Sequence, residues 1–589
     1  MFQTFTETAS PDTGPARLTA LRAAMAEAGV DGFLVPRADA FQGEYVAPAD
    51  ERLSWLTGFT GSAGWAVALA ERAAVFVDGR YRVQVKAQVA EVFEKVDWPE
   101  TSLADWIGKA LPKGVIGFDP WLLTVDQMRA LETAGVALER CANLVDVVWT
   151  DRPAPPMGAV FAQPVSLSGE PHEAKIARLA ASLGKAAAAV ITLPDSIAWL
   201  LNIRGSDIPR NPVPHGFALL HADETVTLFM AEAKLTDVRD HLGAAVTVRP
   251  VDAFEDALHG LGGPVQIDPA TCPVAVLDAL DGREVVEGAD PCILPKARKN
   301  AVELEGSRAA HLRDAAAMVR FLAWLDREAP GDLTEISVVQ RLEEERRATN
   351  ALRDISFETI SGSGPHGAIV HYRVTEGTDR PLQAGELLLV DSGGQYVDGT
   401  TDITRTVAIG TVGDEERQNF TRVLKGMIAI STLRFPKGLT GQDIDPFARH
   451  ALWQAGLDYG HGTGHGVGSY LCVHEGPARI SRAGTVPFEP GMILSNEPGF
   501  YREGAYGIRI ENLIAVEEAP AHPGQTIPQQ YRFETLTWVP IDRRLIVAEM
   551  LTEDERDWVN AYHAQVETRV RPLVDDVAGG WLSEACQSI

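Results

Sequence analysis

The chain runs to 589 residues, 45% hydrophobic and 23% charged, with 53 Lys and Arg against 81 Asp and Glu for a net charge of -28. That length exceeds what one hydrophobic core fills, so two or three domains are expected, and the composition is that of a folded soluble protein. So acidic a chain repels polyphosphate and anionic lipid, which excludes nucleic acid and membrane surfaces as partners.

The first residues, MFQTFTETASPDTGPARLT, have neither a basic nor an apolar region of the kind a secretory signal carries, and no apolar run reaches bilayer-spanning length. Five widely spaced cysteines, Cys141, Cys272, Cys292, Cys472 and Cys586, form no CxxC pair and disfavour a disulfide framework or a cysteine zinc site. A cytoplasmic protein is expected.

In chain order, a helical pattern from Arg17 to Ala28 leads into the apolar run GFLVP, a Trp-Leu turn in SWLTGF, and the strand-like WAVALAERAAVFVDG. A proline-dense linker follows from Thr150 to Pro164. The same plan then repeats weakly: KIARLAASLG, AAVITLP, a turn in AWLLNIRGSD, and GFALLHADETVTLFM. Two related α/β domains are predicted, 1-155 and 156-297, the second closed by a linker from Asp290 to Asn300.

The remainder, 298-589, opens with helical patterns in AVELEGSRAAHLRDAAAMVRFLAWLDREA and TEISVVQRLEEERRA, where Thr334 and Glu335 suit an N-terminal turn. Strand-like ELLLVDSGGQY and TTDITRTVAIG face each other across a turn containing Asp398 and Gly399. Helical DEERQNFTRVLKGMIAISTLR and DIDPFARHALWQAG then precede strand-like GMILSNEPGFY and GIRIENLIAV. Two helix-helix-hairpin halves imply an α+β domain with a pseudo-symmetric curved sheet.

The facing strands of the two halves collect acids on apolar flanks. Asp391 ends LLLV, the hairpin brings Asp402 near it, Glu497 shares a face with Ser495, and period-2 alternation puts Glu511 on the face of Arg509. Buried carboxylates this close cannot all stay ionised without cations. Oxygen ligands with one imidazole suit manganese, cobalt or zinc, and bridging carboxylates suit two ions about 3.5 to 4 Å apart. His465 is the natural nitrogen ligand. It lies in GHGTGHGVGS, where the glycines make a helix improbable and favour a loop or strand end, so His461 and His465 are not a helical zinc pair.

The motifs DSG, TTDITR, GTGHGVG, NEPG and IRIEN, in that order, resemble the pita-bread metallopeptidases. The whole chain is similar to the long three-domain cytosolic Xaa-Pro aminopeptidases, through EYVAPADERLSWLTGFTGSAG, IAWLLNIRGSDIPRNPV, HGAIVHYRV, DYGHGTGHGVGSYLCVHEGP and FETLTWVPID. The resemblance implies two creatinase-N-like α/β domains ahead of a pita-bread catalytic domain. It implies two divalent metal ions, most naturally Mn2+, with Co2+ or Zn2+ as alternatives. Asp402 and Glu511 would bridge them, Asp391 would complete one site, and His465 with Glu497 the other. His371, His461 and His474 would orient the peptide and hydrogen-bond the tetrahedral intermediate. Tyr501 and Arg509 would line the site, and Arg80 of DGRY would contact peptide, a structural ion pair being its alternative.

The activity implied is removal of the residue before proline from Xaa-Pro-Yaa peptides, with Glu497 as proton shuttle, His371 and His474 stabilising charge, and a homodimer as the assembled form. A prolidase acting on Xaa-Pro dipeptides and a non-catalytic peptide-binding module of the same fold are the competing readings. Asn496 departs from the pattern, many relatives having Asp before the ligand Glu.

Overall fold

The computed structural model describes residues 1-527 and 529-589 and divides into two compact units, one of Thr8–Lys296, the other of Met1–Glu7 with Ala297–Ile589. No helix among the described residues is long and apolar enough to cross a membrane, and no disulfide forms among them.

The first unit holds the predicted repeat. Its first half runs α1 (Gly14–Ala28), β1 (Gly32–Pro36), α2 (Arg52–Thr57), β2 (Trp65–Leu69), β3 (Ala73–Val77), β4 (Glu94–Asp97), β5 (Ile116–Phe118) and β6 (Leu138–Arg140). The second runs α3 (His172–Ala180), β7 (Ala188–Ile191), α4 (Pro194–Leu200), β8 (Phe217–His221), β9 (Val226–Phe229), β10 (Val246–Arg249), β11 (Val265–Ile267) and β12 (Val285–Glu287). Each half forms a six-stranded sheet, β4-β3-β2-β1-β5-β6 and β10-β9-β8-β7-β11-β12, with the same sequence of parallel and antiparallel neighbours. The Trp-Leu segments expected as turns are the short helices α2 and α4. Leu53 and Leu56, and likewise Ile197 and Leu200, bury there, and apolar positions three apart share one face of a helical turn. The stretch expected as the second linker contains a short helix, Ile293–Ala297, and buries Asp290 and Cys292.

The second unit opens with α5 (Ala301–Glu328). Asn300 starts it, its side chain accepting the N–H groups of Val302 and Glu303 while the Glu303 carboxylate accepts the Asn300 N–H, a reciprocal cap. Thr334 caps α6 (Glu335–Arg347) as its position suggested. There follow β13 (Ile360–Ser363), β14 (Glu386–Ser392), β15 (Ile403–Ile409), α7 (Asp414–Ser431), β16 (Arg434–Pro436) and α8 (Gly441–Trp453). Then come β17 (Gly464–Gly466), β18 (Glu475–Ile480), β19 (Ile493–Asn496), β20 (Gly499–Arg502), β21 (Tyr506–Arg509), β22 (Asn512–Glu518) and β23 (Gln530–Thr535), closed by α9 (Glu553–Val570) and α10 (Asp576–Ala585).

Two sheets frame the site, β13-β14-β15 and β16-β23-β22-β19-β17-β18, with β20 and β21 as a separate pair and Asp354–Ile355, Gly394–Tyr396 and Gly399–Thr400 as a small third sheet. Phe321, Leu388, Val407 and Met427 belong to the large core between helices and strands. The first residues dock on this unit: the Gln3 amide exchanges hydrogen bonds with the Thr359 backbone, and Arg373 donates to the carbonyls of Thr4 and Thr6.

Four runs read as single strands are each broken in two, ELLLVDSGGQY at Gly393 and TTDITRTVAIG at Thr401 and Asp402. GMILSNEPGFY splits at Glu497 and Pro498, where proline has no N–H for a ladder. GIRIENLIAV splits at Ile510 and Glu511, where the chain leaves β20 for β19 and the Glu511 N–H turns to the Thr404 carbonyl at 3.1 Å. Three of the four interruptions sit at acids of the cluster, Asp402, Glu497 and Glu511, and the Glu511 bond joins β15 to the start of β22 there.

Candidate metal centre

Antiparallel pairing of β14 with β15 sets Asp391 opposite Thr404, and Asp402 lies just ahead of β15. Asp391, Asp402 and Glu511 are 7%, 4% and 1% exposed, so nearly all of their charge is withdrawn from water. His465 occupies the centre of β17. Its Nε2 lies 3.3 Å from Glu497 Oε1 and 3.6 Å from Asp402 Oδ2. Its Nδ1 donates to the Gly466 carbonyl at 2.9 Å, which leaves the Nε2 lone pair facing the carboxylates.

The flanking glycines are required by packing. A Cβ on Gly464 would stand 1.9 Å from the Ser495 carbonyl oxygen, and one on Gly466 would stand 2.1 Å from that of Glu475. The backbone of β17 therefore lies pressed between β18 and β19, and this fixes where the His465 ring projects.

Two hydroxyls orient the acids, Thr404, which the sequence reading passed over, and Ser495, which it placed on the face of Glu497. Thr404 Oγ1 donates to Glu511 Oε2 at 2.8 Å, and Ser495 Oγ donates to Glu497 Oε1 at 2.9 Å while accepting the His465 N–H at 3.0 Å. Period 2 held the signal, since Thr404 lies two residues after Asp402 and Ser495 two before Glu497.

Donors nevertheless fall short of acceptors. Asp391 Oδ1, Asp402 Oδ1 and Glu511 Oε1 are buried with no hydrogen-bond partner among the described residues. Burial, then the charges of Glu511, Asp391 and Glu497, hold the Asp402 carboxyl well above the usual range. Burial, then Glu497 and Asp391, do the same to Glu511. Burial pushes Glu497 up to about 7, with Arg509 opposing and Asp391 adding. Ionising all of these acids requires positive charge from outside the chain. Orphaned carboxylate oxygens converging on one imidazole fit hard or borderline divalent cations, and one donor atom each of Asp402, His465 and Glu511 lie within 4.8 Å of one another.

Around the acids runs a chain of oriented hydrogen bonds. Arg509 Nη2 donates to Asp391 Oδ2 at 2.6 Å and Nη1 to the Tyr501 oxygen at 2.6 Å. The Tyr501 hydroxyl donates to His461 Nε2 at 2.9 Å, and His461 Nδ1 donates to the Gly462 carbonyl at 2.7 Å. His461 thus lies beyond Tyr501, whereas His465 meets the acids. His474 stacks edge-on to His465 with ring centroids 4.4 Å apart. His371 is half-buried in the loop after the Gly364–Ala368 turn. Its neighbours are anchored, the Val370 carbonyl by Arg509 Nη2 at 3.5 Å and the Tyr372 hydroxyl by Glu335 at 3.0 Å. Arg80 belongs to the N-terminal unit, where Nε and Nη2 donate to the Asp78 carboxylate at 2.9 and 2.7 Å. Asn496 turns away from the cluster and donates to the Met427 carbonyl at 2.9 Å and Ser431 Oγ at 3.0 Å.

Residues 305–518 match the model of metallopeptidase family M24, and 529–589 that of the C-terminal region of peptidase M24. Residues 17–148 and 151–303 match two creatinase/prolidase N-terminal domain models. A probable Xaa-Pro aminopeptidase P from Aspergillus niger is 41% identical, over 97% of this chain and 98% of that one. Aminopeptidase P2 of Arabidopsis thaliana is 39% identical, over 95% and 86%. The crystal structure of X-prolyl aminopeptidase from Caenorhabditis elegans, described as a cytosolic enzyme with a di-nuclear active site, is 34% identical. It covers 98% of this chain and 100% of its own, with a TM-score of 0.93.

Proposed function

This chain belongs to metallopeptidase family M24, and from that premise we propose that it is an Xaa-Pro aminopeptidase, releasing the first residue of peptides whose second residue is proline. The observation that carries the reading is the set of buried carboxylate oxygens on Asp391, Asp402 and Glu511 that no donor among the described residues satisfies. We assign Asp402 and Glu511 as bridging ligands of two divalent cations, Asp391 as the further ligand of one, and His465 with Glu497 as the further ligands of the other. Mn2+ is our choice of ion, since oxygen donors outnumber nitrogen.

When bound, the cations supply Lewis acidity at the scissile carbonyl and lower the pKa of the attacking water. Glu497 accepts that water's proton and passes it to the proline nitrogen, which leaves only once protonated. Ser495 holds the Glu497 carboxylate in place at 2.9 Å. His474 and His371 donate to the oxygen that becomes negative, a role in which one preorganised donor contributes about 3 to 4 kcal/mol. His461, held by the Tyr501 hydroxyl, orients the peptide. Arg80 is retained as a proposed peptide contact, with Arg80→Ala expected to raise KM. A homodimer is the proposed assembled form, which sedimentation equilibrium tests.

The deciding experiment strips the protein by chelation, restores Mn2+, Co2+ or Zn2+, and compares Xaa-Pro-Yaa, Xaa-Pro and Xaa-Ala-Yaa peptides. First-residue release confined to Xaa-Pro-Yaa and dependent on added metal is expected. Cleavage of Xaa-Pro dipeptides alone would make the protein a prolidase, and turnover indifferent to metal would remove the reading altogether.

A further inference from the structure

Away from the carboxylate cluster, the N-terminal unit contains a second convergence of metal-ligating side chains. Asp39 follows β1, Asp50 closes the turn Pro48–Asp50 ahead of α2, and His215 leads into β8 of the other sheet. One donor atom of each lies within 4.8 Å of the others. Asp39 is 1% exposed and His215 7%, while Asp50 is half-buried.

Two of these groups point into the gap without a partner. Asp39 Oδ1 accepts the Phe41 N–H at 2.9 Å, but Asp39 Oδ2 and His215 Nε2 have no hydrogen-bond partner among the described residues. They face each other at 3.5 Å, longer than the roughly 2.7 to 3.2 Å of an N–H···O bond. The imidazole is fixed in that pose. Phe41 stacks on it with centroids 4.1 Å apart, the His215 backbone N–H donates to Asp207 at 2.6 Å, and the His215 carbonyl accepts from Lys234 at 3.0 Å. A buried acceptor and a buried imidazole nitrogen left unmatched cost stability unless something between them is bound.

The nearby cations do not fill the gap. Arg37 pairs with Glu51, and Lys234 with Asp207. Arg52 and Arg152 both pair with Asp146, and their hydrogen bonds to Asp50 both end on Oδ1. Counted together, these five carboxylates face four cationic side chains, which leaves one negative charge over beside the buried Asp39.

We propose that Asp39, Asp50 and His215 bind a divalent transition-metal ion that ties the first α/β half of the N-terminal unit to the second. Two carboxylates with one imidazole suit Zn2+ or its first-row neighbours, with water completing the coordination on the open side near Asp50. The state without the ion is consistent with this. Burial lowers His215 to about 4, which keeps its imidazole neutral and able to ligate, and raises Asp39 to about 7, so that it releases a proton as the ion enters.

The test uses the full chain, stripped by chelation and dialysed against Zn2+, with metal counted by mass spectrometry beside His215→Phe and Asp39→Asn. Each variant is expected to bind one ion per chain fewer than the parent, to keep Xaa-Pro-Yaa turnover, and to lose part of the Zn2+-dependent rise in Tm. Equal metal counts in the parent and both variants overturn the proposal, as does an ion lost together with turnover. Should His215→Phe fail to fold, the near-isosteric Asp39→Asn decides alone. The count is a difference between parent and variant, so it stands whatever peptide the enzyme cleaves.

Discussion

Arg509 Nη2 meets Asp391 at 2.6 Å while Nη1 of the same guanidinium meets Tyr501 at 2.6 Å, so one buried cation fixes both a carboxylate of the cluster and the phenol that holds His461. A lysine cannot span both contacts, because its single ammonium lacks the planar fork. Arg509→Lys is expected to lower metal affinity or kcat/KM by roughly 10- to 100-fold, the range typical of residues that orient metal ligands. Metal titration with parallel kinetics checks this, and a variant of unchanged affinity and turnover would show that Arg509 only fills space.

The two histidines of HGTGH should separate by metal content. His465 Nε2 faces Glu497 and Asp402, whereas His461 Nε2 is taken by Tyr501. His465→Ala is expected to lose bound metal, and His461→Ala to keep it while losing turnover or peptide affinity. Elemental analysis of both purified variants decides, and equal metal loss in the two would contradict the split.

Without metal, stability should fall as pH rises. Burial raises Glu497 from its ordinary 4.5 to about 7, and holds Asp402 and Glu511 well above the ordinary carboxyl range, so the folded chain holds protons that the unfolded chain releases. Their contribution is complete below the unfolded carboxyl values and is lost as pH climbs through the folded ones. Chelated protein is therefore expected to melt at a lower temperature at about pH 8 than at about pH 6, and metal-loaded protein to show a smaller decline, since cations replace the protons. Melting curves in chelator and in Mn2+ measure both, and a metal-free Tm rising over that interval would refute the account.

Asn496 belongs to the support rather than to the cluster. Its amide nitrogen donates to the Met427 carbonyl, and an ionised Asp has no hydrogen to donate there. Asn496→Asp is expected to cost about 1 to 3 kcal/mol in urea unfolding with metal content unchanged. A drop in metal content at unaltered stability would place position 496 in the metal site after all.

Much of this was legible in the sequence because the relevant order is local. Acids on apolar strand flanks marked the cluster, and glycine crowding excluded a helix around His465. The duplicated sheets showed as repeated helix, strand and hairpin patterns. The breaks at Glu497 and Ile510 were not legible, since each arises where a strand changes partners and a partner's identity lies elsewhere in the chain. Nor could Asn496 be read as facing α7, or Asp39 as facing His215, because a single strand's pattern does not record what a neighbouring element leaves unpaired.

The docking of the first residues also bears on how the chain is made. Gln3 and Thr359 bond to each other across 356 residues, and Arg373 clasps the backbone of Thr4 and Thr6. During synthesis this leading segment emerges long before its seat exists, while the N-terminal sheets between them can complete from their own strands. The unit that carries the carboxylate cluster therefore closes last, around a segment that waited outside it, and non-local closure of this kind is slow. Delay at that step would leave the apolar seat of Phe5, formed by Ile360, Tyr372 and Val374, uncovered on a nearly finished chain.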